Sequence, residues 1–219
     1  MADSRQQMAN YPSSEGRRLV LALVQVIEEN KAYLSEIDGK IGDGDHGINM
    51  AKGFGLVKTR MGEREVSVSE GLTLIGQTLL TEIGGSMGPL YGTFFLQMGL
   101  RAKDKAQIDE KTFGEMLCAA RTGLEELGGA TVGDKTIMDV LAPAVAAYQS
   151  AAVKGASFRD ALTQMANAAE GGKESTRDLV ARIGRASRLG ERSRGVLDAG
   201  ATSGAMILQA MASVLAKET

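Results

Sequence analysis

The chain has 219 residues, a formal net charge of −2, 43% apolar and 4% aromatic residues, and one cysteine. That length and apolar content are enough to close one core, and a second domain is not required. The near-neutral charge excludes a duplex-binding surface, the scarcity of rings excludes stacking platforms for single strands, and the lone cysteine excludes an internal disulfide.

Residues 1–14 are polar and lack the apolar stretch of a signal peptide. No later run approaches the roughly 18 apolar residues that a spanning helix needs. The expectation is a cytoplasmic protein without membrane or nucleic-acid partners, built as a polar tail at 1–14 and a helical domain at 15–219.

After the tail, Leu19, Leu23, Val26 and Ile27 recur at helical spacing. A glycine-rich junction at Gly39 to Gly47 precedes a helix predicted over 48–60, and Leu72, Ile75 and Leu79 mark the next helix. A second junction, Gly84 to Gly88, leads into helices predicted over 87–101 and 109–127. Cys118, flanked by Met116, Leu117, Ala119 and Ala120, is read as core filler.

Gly128 to Gly133 form the third junction, followed by helices over 136–150 and 157–170, the latter opened by a Ser157-x-x-Asp160 capping box, and over 173–184. A fourth junction, Gly195 to Gly204, precedes a last helix through Ile207, Leu208, Met211 and Leu215. No stretch has the β-branched alternation of a strand. The expected fold is all-α, a single barrel or bundle of about eight antiparallel helices, with mixed α/β as the alternative.

The segment Asp38-Gly-Lys-Ile-Gly-Asp43-Gly-Asp45-His46-Gly47 places three carboxylates within eight residues, with glycines that let the backbone bend. Such oxygen clusters suit hard cations such as Mg²⁺, although a solvated turn has the same composition. Gly42 to Gly47 formally matches G-x-G-x-x-G, but the approach is not an apolar strand and the variable positions are acidic, which repels bare phosphate. An EF-hand fails because Gly47 or Lys40 would occupy ligand positions.

Gly84-Gly85-Ser86-Met87-Gly88-Pro89 leads into a helix whose free N–H groups could receive an anion, or is an ordinary helix–helix turn. In Gly128-Gly-Ala-Thr-Val-Gly133-Asp134-Lys135-Thr136, Asp134 interrupts the Gly-Lys-Thr ending of a P-loop. Lys135 or Thr136 is left to touch phosphate, to brace the acidic loop, or to serve as a solvated cap. Gly184 to Gly195 carries Arg185, Arg188, Arg192 and Arg194, suited to transferring phosphate or to a solvated surface. His46 is the only histidine, so a multi-histidine zinc site is excluded.

Together these motifs resemble the L subunit, or C-terminal nucleotide domain, of dihydroxyacetone kinases. The residues that carry the resemblance are Ile41-Gly-Asp-Gly-Asp-His-Gly-Ile-Asn-Met50, Gly84-Gly-Ser-Met-Gly-Pro-Leu-Tyr-Gly-Thr-Phe-Phe95, Gly133-Asp-Lys-Thr136, Gly184-Arg-Ala-Ser187, Leu189-Gly-Glu-Arg-Ser193 and Asp198-Ala-Gly-Ala-Thr-Ser203.

The resemblance implies a barrel of antiparallel helices with ADP or ATP bound at one end through two Mg²⁺ ions held by Asp38, Asp43 and Asp45. It places His46, Gly47, Ile48, Asn49, Ser86 and Met87 at the phosphates. Gly128, Ile137, Arg185, Asp198, Ala199 and Gly200 become further nucleotide contacts, with Arg185 in the catalytic role. The implied partner is a K-type subunit whose own histidine holds the ketose.

The implied phosphoryl donor is a phosphotransferase-system carrier fed by phosphoenolpyruvate, and a homodimer is left open. Gly195-Val-Leu-Asp-Ala-Gly200 lacks the His-Gln-Asp-Pro often found in that branch. This keeps an ATP-dependent kinase subunit for a related tetrose, and a Mg-ADP-sensing interaction module, as alternatives.

Overall fold

The computed structural model describes residues 10–218. A two-residue strand β1 (Tyr11–Pro12) opens the described chain and α1 (Gly16–Glu29) buries Leu19, Val20, Leu23, Val24 and Ile27 along one stripe. The Asn30 side-chain amide closes α1 by donating to the Val26 carbonyl at 2.8 Å, and α2 (Lys31–Ile41) follows directly.

Next come α3 (His46–Met61), α4 (Val68–Glu82) and α5 (Met87–Ala102). Helix α4 opens with a reciprocal capping box between Ser67 and Glu70. Strand β2 (Gln107–Ile108) pairs antiparallel with β1, Tyr11 facing Ile108.

Helix α6 (Glu110–Gly128) begins where the Asp109 carboxylate accepts the Thr112 amide at 2.7 Å. It is followed by α7 (Met138–Val153), α8 (Phe158–Ser175) and α9 (Ala199–Leu215). Ser157 caps α8 by accepting the Asp160 amide at 3.1 Å.

The all-helical expectation holds: nine α-helices and one two-residue strand pair make up the regular structure among the described residues, with short 3-10 turns between them. Eight of the nine close a ring, each packed on its chain neighbour from α3 through α9, with α1 seated against α3, α4 and α9. One continuous core fills the ring, including edge-on contacts of Phe54 and Phe94 with Phe95, and of Phe113 with Tyr148. Each such fully buried side chain contributes about 2 kcal/mol. The approach of α4 to α5 requires Gly76, because a Cβ there would fall 2.8 Å from the Leu96 amide nitrogen.

Three local outcomes differ from the sequence expectation. Residues 31–41 form α2, so Asp38 is on a helix and not in a loop. The helix expected over 173–184 does not form: α8 stops at Ser175 and a 3-10 turn ends at Asp178. The Ser175 and Thr176 hydroxyls donate to the Gly172 and Lys173 carbonyls, the local competition that makes such residues helix terminators. Finally, residues 1–9 of the expected tail lie outside the described residues, while Tyr11 is fully buried and donates to the Glu15 carbonyl.

Cys118 is half-buried against the core. Among the described residues, no helix is long and apolar enough to cross a membrane.

Candidate metal and anion site

The amino-termini of α3, α5, α7 and α9 meet at one end of the ring. His46, the first residue of α3, places Nε2 2.8 Å from the Ser203 hydroxyl on α9. One turn into α5, the Tyr91 hydroxyl donates to the Gly200 carbonyl at 3.0 Å and lies 2.5 Å from the Ser203 hydroxyl. Ile137, just before α7, packs so closely on α9 that a Cβ at Gly204 would fall 2.9 Å from its Cγ1.

Converging helix amino-termini present unpaired N–H groups and a positive potential, the setting that receives anions. Neither Asp45 before α3 nor Ser86 before α5 makes a side-chain cap, so these amides are not taken by the preceding residue.

Helix α2 lies beside this end. Its Ile37 clusters with Leu197 and Ala199 at the start of α9. Its Lys31 carbonyl presses on Gly47, where a Cβ would fall at 2.0 Å. Only glycine allows that approach, and it sets Asp38, in the last turn of α2, against the Asp43–Asp45 turn.

Carboxylate oxygens of Asp38, Asp43 and Asp45 lie within 4.8 Å of one another. Asp38 accepts the His46 amide at 3.3 Å and Asp43 pairs with the Arg185 guanidinium. Three carboxylates this close repel unless a cation lies among them, and an all-oxygen donor set suits Mg²⁺. The residues present therefore fit the expected metal.

The His46 imidazole is turned into the ring and buried. Burial pushes its pKa down to about 4, against the opposing pull of Asp38, so the ring is neutral at physiological pH. Asp198 caps α9, its carboxylate accepting the Ala201 amide at 2.7 Å while its own amide donates to Thr176 Oγ1 at 3.0 Å. Desolvation is the main reason that its pKa is pushed up to about 6. The Ala201 amide and Lys135 oppose the shift, while Asp139 and Asp38 add to it.

Among the expected nucleotide residues, Ile137, Asp198 and Gly200 come together at the α7–α9 contact, a Cβ on Gly200 falling 3.9 Å from the Ile137 amide nitrogen. Ile48 is exposed on the first turn of α3, and Ser86 and Met87 stand at the start of α5. Gly128 ends α6 in open space.

Lys135 departs from the sequence reading. It is 2% exposed, and it contacts the segment after α8 where a solvated cap, a phosphate ligand or a brace of the acidic loop was expected. Sequence reasoning also gave no role to Tyr91, Ser203, Thr176 or Asp139. Asp139 accepts the Gly133 and Thr136 amides at 2.6 and 2.7 Å. Tyr91 and Ser203 stand about one turn inside helices whose opening motifs were recognised, and that spacing was the available signal. An open groove of about 1110 Å³ between α5, α6 and α7 contains none of the expected site residues.

A family model, the DAK2 domain, matches residues 40–213. The chain belongs to the DAK2 domain family. This DAK2 chain is 40% identical over 186 residues to the ADP-binding subunit DhaL of PEP-dependent dihydroxyacetone kinase 1 from Listeria innocua, covering 84% of this chain and 88% of that one. It is 34% identical over 221 residues to the ADP-binding subunit DhaL of the PEP-dependent dihydroxyacetone kinase of Escherichia coli, covering 100% of both chains.

The DAK2 fold also superposes on the dihydroxyacetone kinase of C. freundii, crystallised with AMP-PNP and Mg²⁺. The TM-score is 0.67 at 24% identity, over 98% of this chain and 36% of that longer one.

Proposed function

We propose that this chain is the ADP-binding subunit of a dihydroxyacetone-type kinase, with residues 15–219 as the nucleotide-binding unit. It would carry a phosphoryl group on Mg-bound nucleotide and pass it to dihydroxyacetone, or a related small ketose, held by a separate K-type subunit. The observation that carries this reading is the carboxylate cluster of Asp38, Asp43 and Asp45, set within 4.8 Å at the end where four helix amino-termini converge. The DhaL names of the Listeria and Escherichia relatives support it.

In this reading Asp38, Asp43 and Asp45 hold two Mg²⁺ ions, which would neutralise phosphate oxygens and act as Lewis acids on the transferring group. The first-turn amides of α3, at Gly47 and Ile48, and of α5, at Met87, orient the phosphate tail, with the Asn49 side chain beside them, its own amide being bonded to the Asp45 carbonyl. Gly128, Ile137, Asp198, Ala199 and Gly200 are the remaining nucleotide contacts.

Arg185, paired with Asp43 in the protein alone, turns to the phosphoryl group once the acids are occupied, and supplies positive charge as negative charge develops. The sole histidine is buried and bonded to Ser203, so covalent capture of the ketose falls to the partner. The PEP-dependent names favour a phosphotransferase-system carrier as donor. The lack of His-Gln-Asp-Pro before Ala199 favours the second reading, an ATP-dependent subunit for a related tetrose.

Mass analysis of the purified chain for retained ADP, with melting in Mg-ADP and in EDTA, tests the proposal. Ligand at a hundred times its Kd adds about 2.7 kcal/mol of stability, a shift of a few degrees for a chain of this size. A chain that neither retains ADP nor melts higher with Mg-ADP overturns it. Retained ADP favours the carrier-dependent donor, and empty protein that turns over ATP with a K-type partner favours the second reading.

A further inference from the structure

The Lys135 ammonium lies at the centre of a set of backbone carbonyls. Its Nζ donates to the oxygens of Thr176 at 2.7 Å, Leu179 at 3.1 Å, Ser193 at 2.7 Å and Val196 at 2.6 Å. An ammonium has three protons, so four oxygens at these distances share them. This is the coordination that converging carbonyls give a monovalent cation, and here the cation is tethered to the chain. The residue reaches the cage from a left-handed backbone at φ 63, a conformation that disfavours side-chain-bearing residues.

The four carbonyls come from the two ends of one segment, Thr176 and Leu179 at its start and Ser193 and Val196 at its finish. Between them lies the Arg-rich stretch, which folds into 3-10 turns broken at Gly190. Secondary bonds close the same base: the Gly195 amide to the Arg177 carbonyl at 2.7 Å, the Ala181 amide to the Ser193 hydroxyl at 2.9 Å, and the Arg182 amide to the Asp134 carbonyl at 3.2 Å. From this base the stretch extends to Arg185, which pairs with Asp43. Thr176, one of the clamped residues, also receives the Asp198 amide at the head of α9.

We infer that Lys135 is a positioning residue, a tethered cation that cinches the base of the 176–196 loop and thereby holds Arg185 over the acid cluster and Asp198 at the head of α9. The consequence for nucleotide rests on the function proposed above, whereas the clamp itself does not. A guanidinium cannot replace the ammonium, because its planar fork does not direct protons to four oxygens around one point. A small soluble cation can, once the side chain is cut back.

The test uses the full chain as wild type, Lys135→Ala and Lys135→Arg. Tryptic cleavage at Arg182, Arg185 and Arg188 reports the loop, the Mg-ADP-dependent rise in Tm reports the site, and far-UV circular dichroism reports the helices. Lys135→Ala should keep its helical signal, be cleaved about tenfold faster than wild type, and lose most of the Mg-ADP shift, as expected when a local opening becomes populated. Ethylammonium, and not tetramethylammonium at equal ionic strength, should restore both readouts.

Lys135→Arg keeps the charge and should still be cleaved faster, with no rescue by the amine. Wild-type cleavage and nucleotide shift in either variant overturn the inference, as does a defect in Lys135→Ala that ethylammonium leaves unchanged. A wild-type chain without a Mg-ADP shift sinks the nucleotide reading and leaves the cleavage rates to judge Lys135.

Discussion

The hydroxyl of Tyr91 lies 2.5 Å from the hydroxyl of Ser203, and the same serine lies 2.8 Å from His46 Nε2. Three side chains from α5, α9 and α3 therefore form one buried chain directly behind the helix amino-termini. Tyr91→Phe removes one donor to the Gly200 carbonyl, which keeps the Ser203 hydroxyl at 3.3 Å, and takes from Ser203 its tyrosine partner. The expected cost is about 1 kcal/mol, read as a lower urea midpoint at unchanged m-value.

Asp43→Asn and Asp45→Asn should separate ligand binding from folding. Each removes one anionic oxygen donor from a cluster whose members lie within 4.8 Å, so the Mg-ADP-dependent rise in Tm should disappear. In Mg-free buffer the Asp45→Asn chain should melt no lower than wild type, because like-charge repulsion is relieved. Wild-type response to Mg-ADP in both variants would remove the metal role from these residues.

Asp198 gives the metal-free protein a pH dependence of known sign. Its pKa is raised from the usual 3.8 to about 6, so the folded chain holds more protons than the unfolded one between those values. The associated stability is fully present below 3.8 and is lost as pH rises through about 6. Its upper bound is about 3 kcal/mol. Asp198→Asn can still cap α9 and should flatten this part of the profile in urea titrations from pH 4 to 7, without lowering stability at pH 7.

Gly47→Ala probes how α2 and α3 meet. The added methyl would fall 2.0 Å from the Lys31 carbonyl oxygen, and backbone on both sides must move to relieve it. A loss of about 1–3 kcal/mol is expected from overpacking. Because Asp38 moves with α2, Mg-ADP binding should weaken as well, and unchanged melting and binding would contradict the close approach.

The barrel was legible because the apolar periodicity of Leu19 to Ile27 or Ile207 to Leu215 records which face meets the core. The three aspartates were legible because they are close in sequence. Helix α2 was missed because Gly39 and Lys40 interrupt its pattern, and its helical state depends on packing against α3 and α9, which no local window contains. The buried state of Lys135 was missed for a related reason: its partners are carbonyls 41 to 61 positions away, and a backbone oxygen leaves no trace in residue identity.

The bond from His46 to Ser203 spans 157 positions, joining the first part of the site to the last helix. During synthesis, the three carboxylates have all left the ribosome while most of the chain is still unmade, yet the end of the ring where the helix amino-termini meet does not exist until α9 emerges and docks on α1 and α8. Assembly of the site is therefore the closing event of folding, and a chain cut short before Ala199 would carry every acidic residue of the site and no barrel mouth to hold them in.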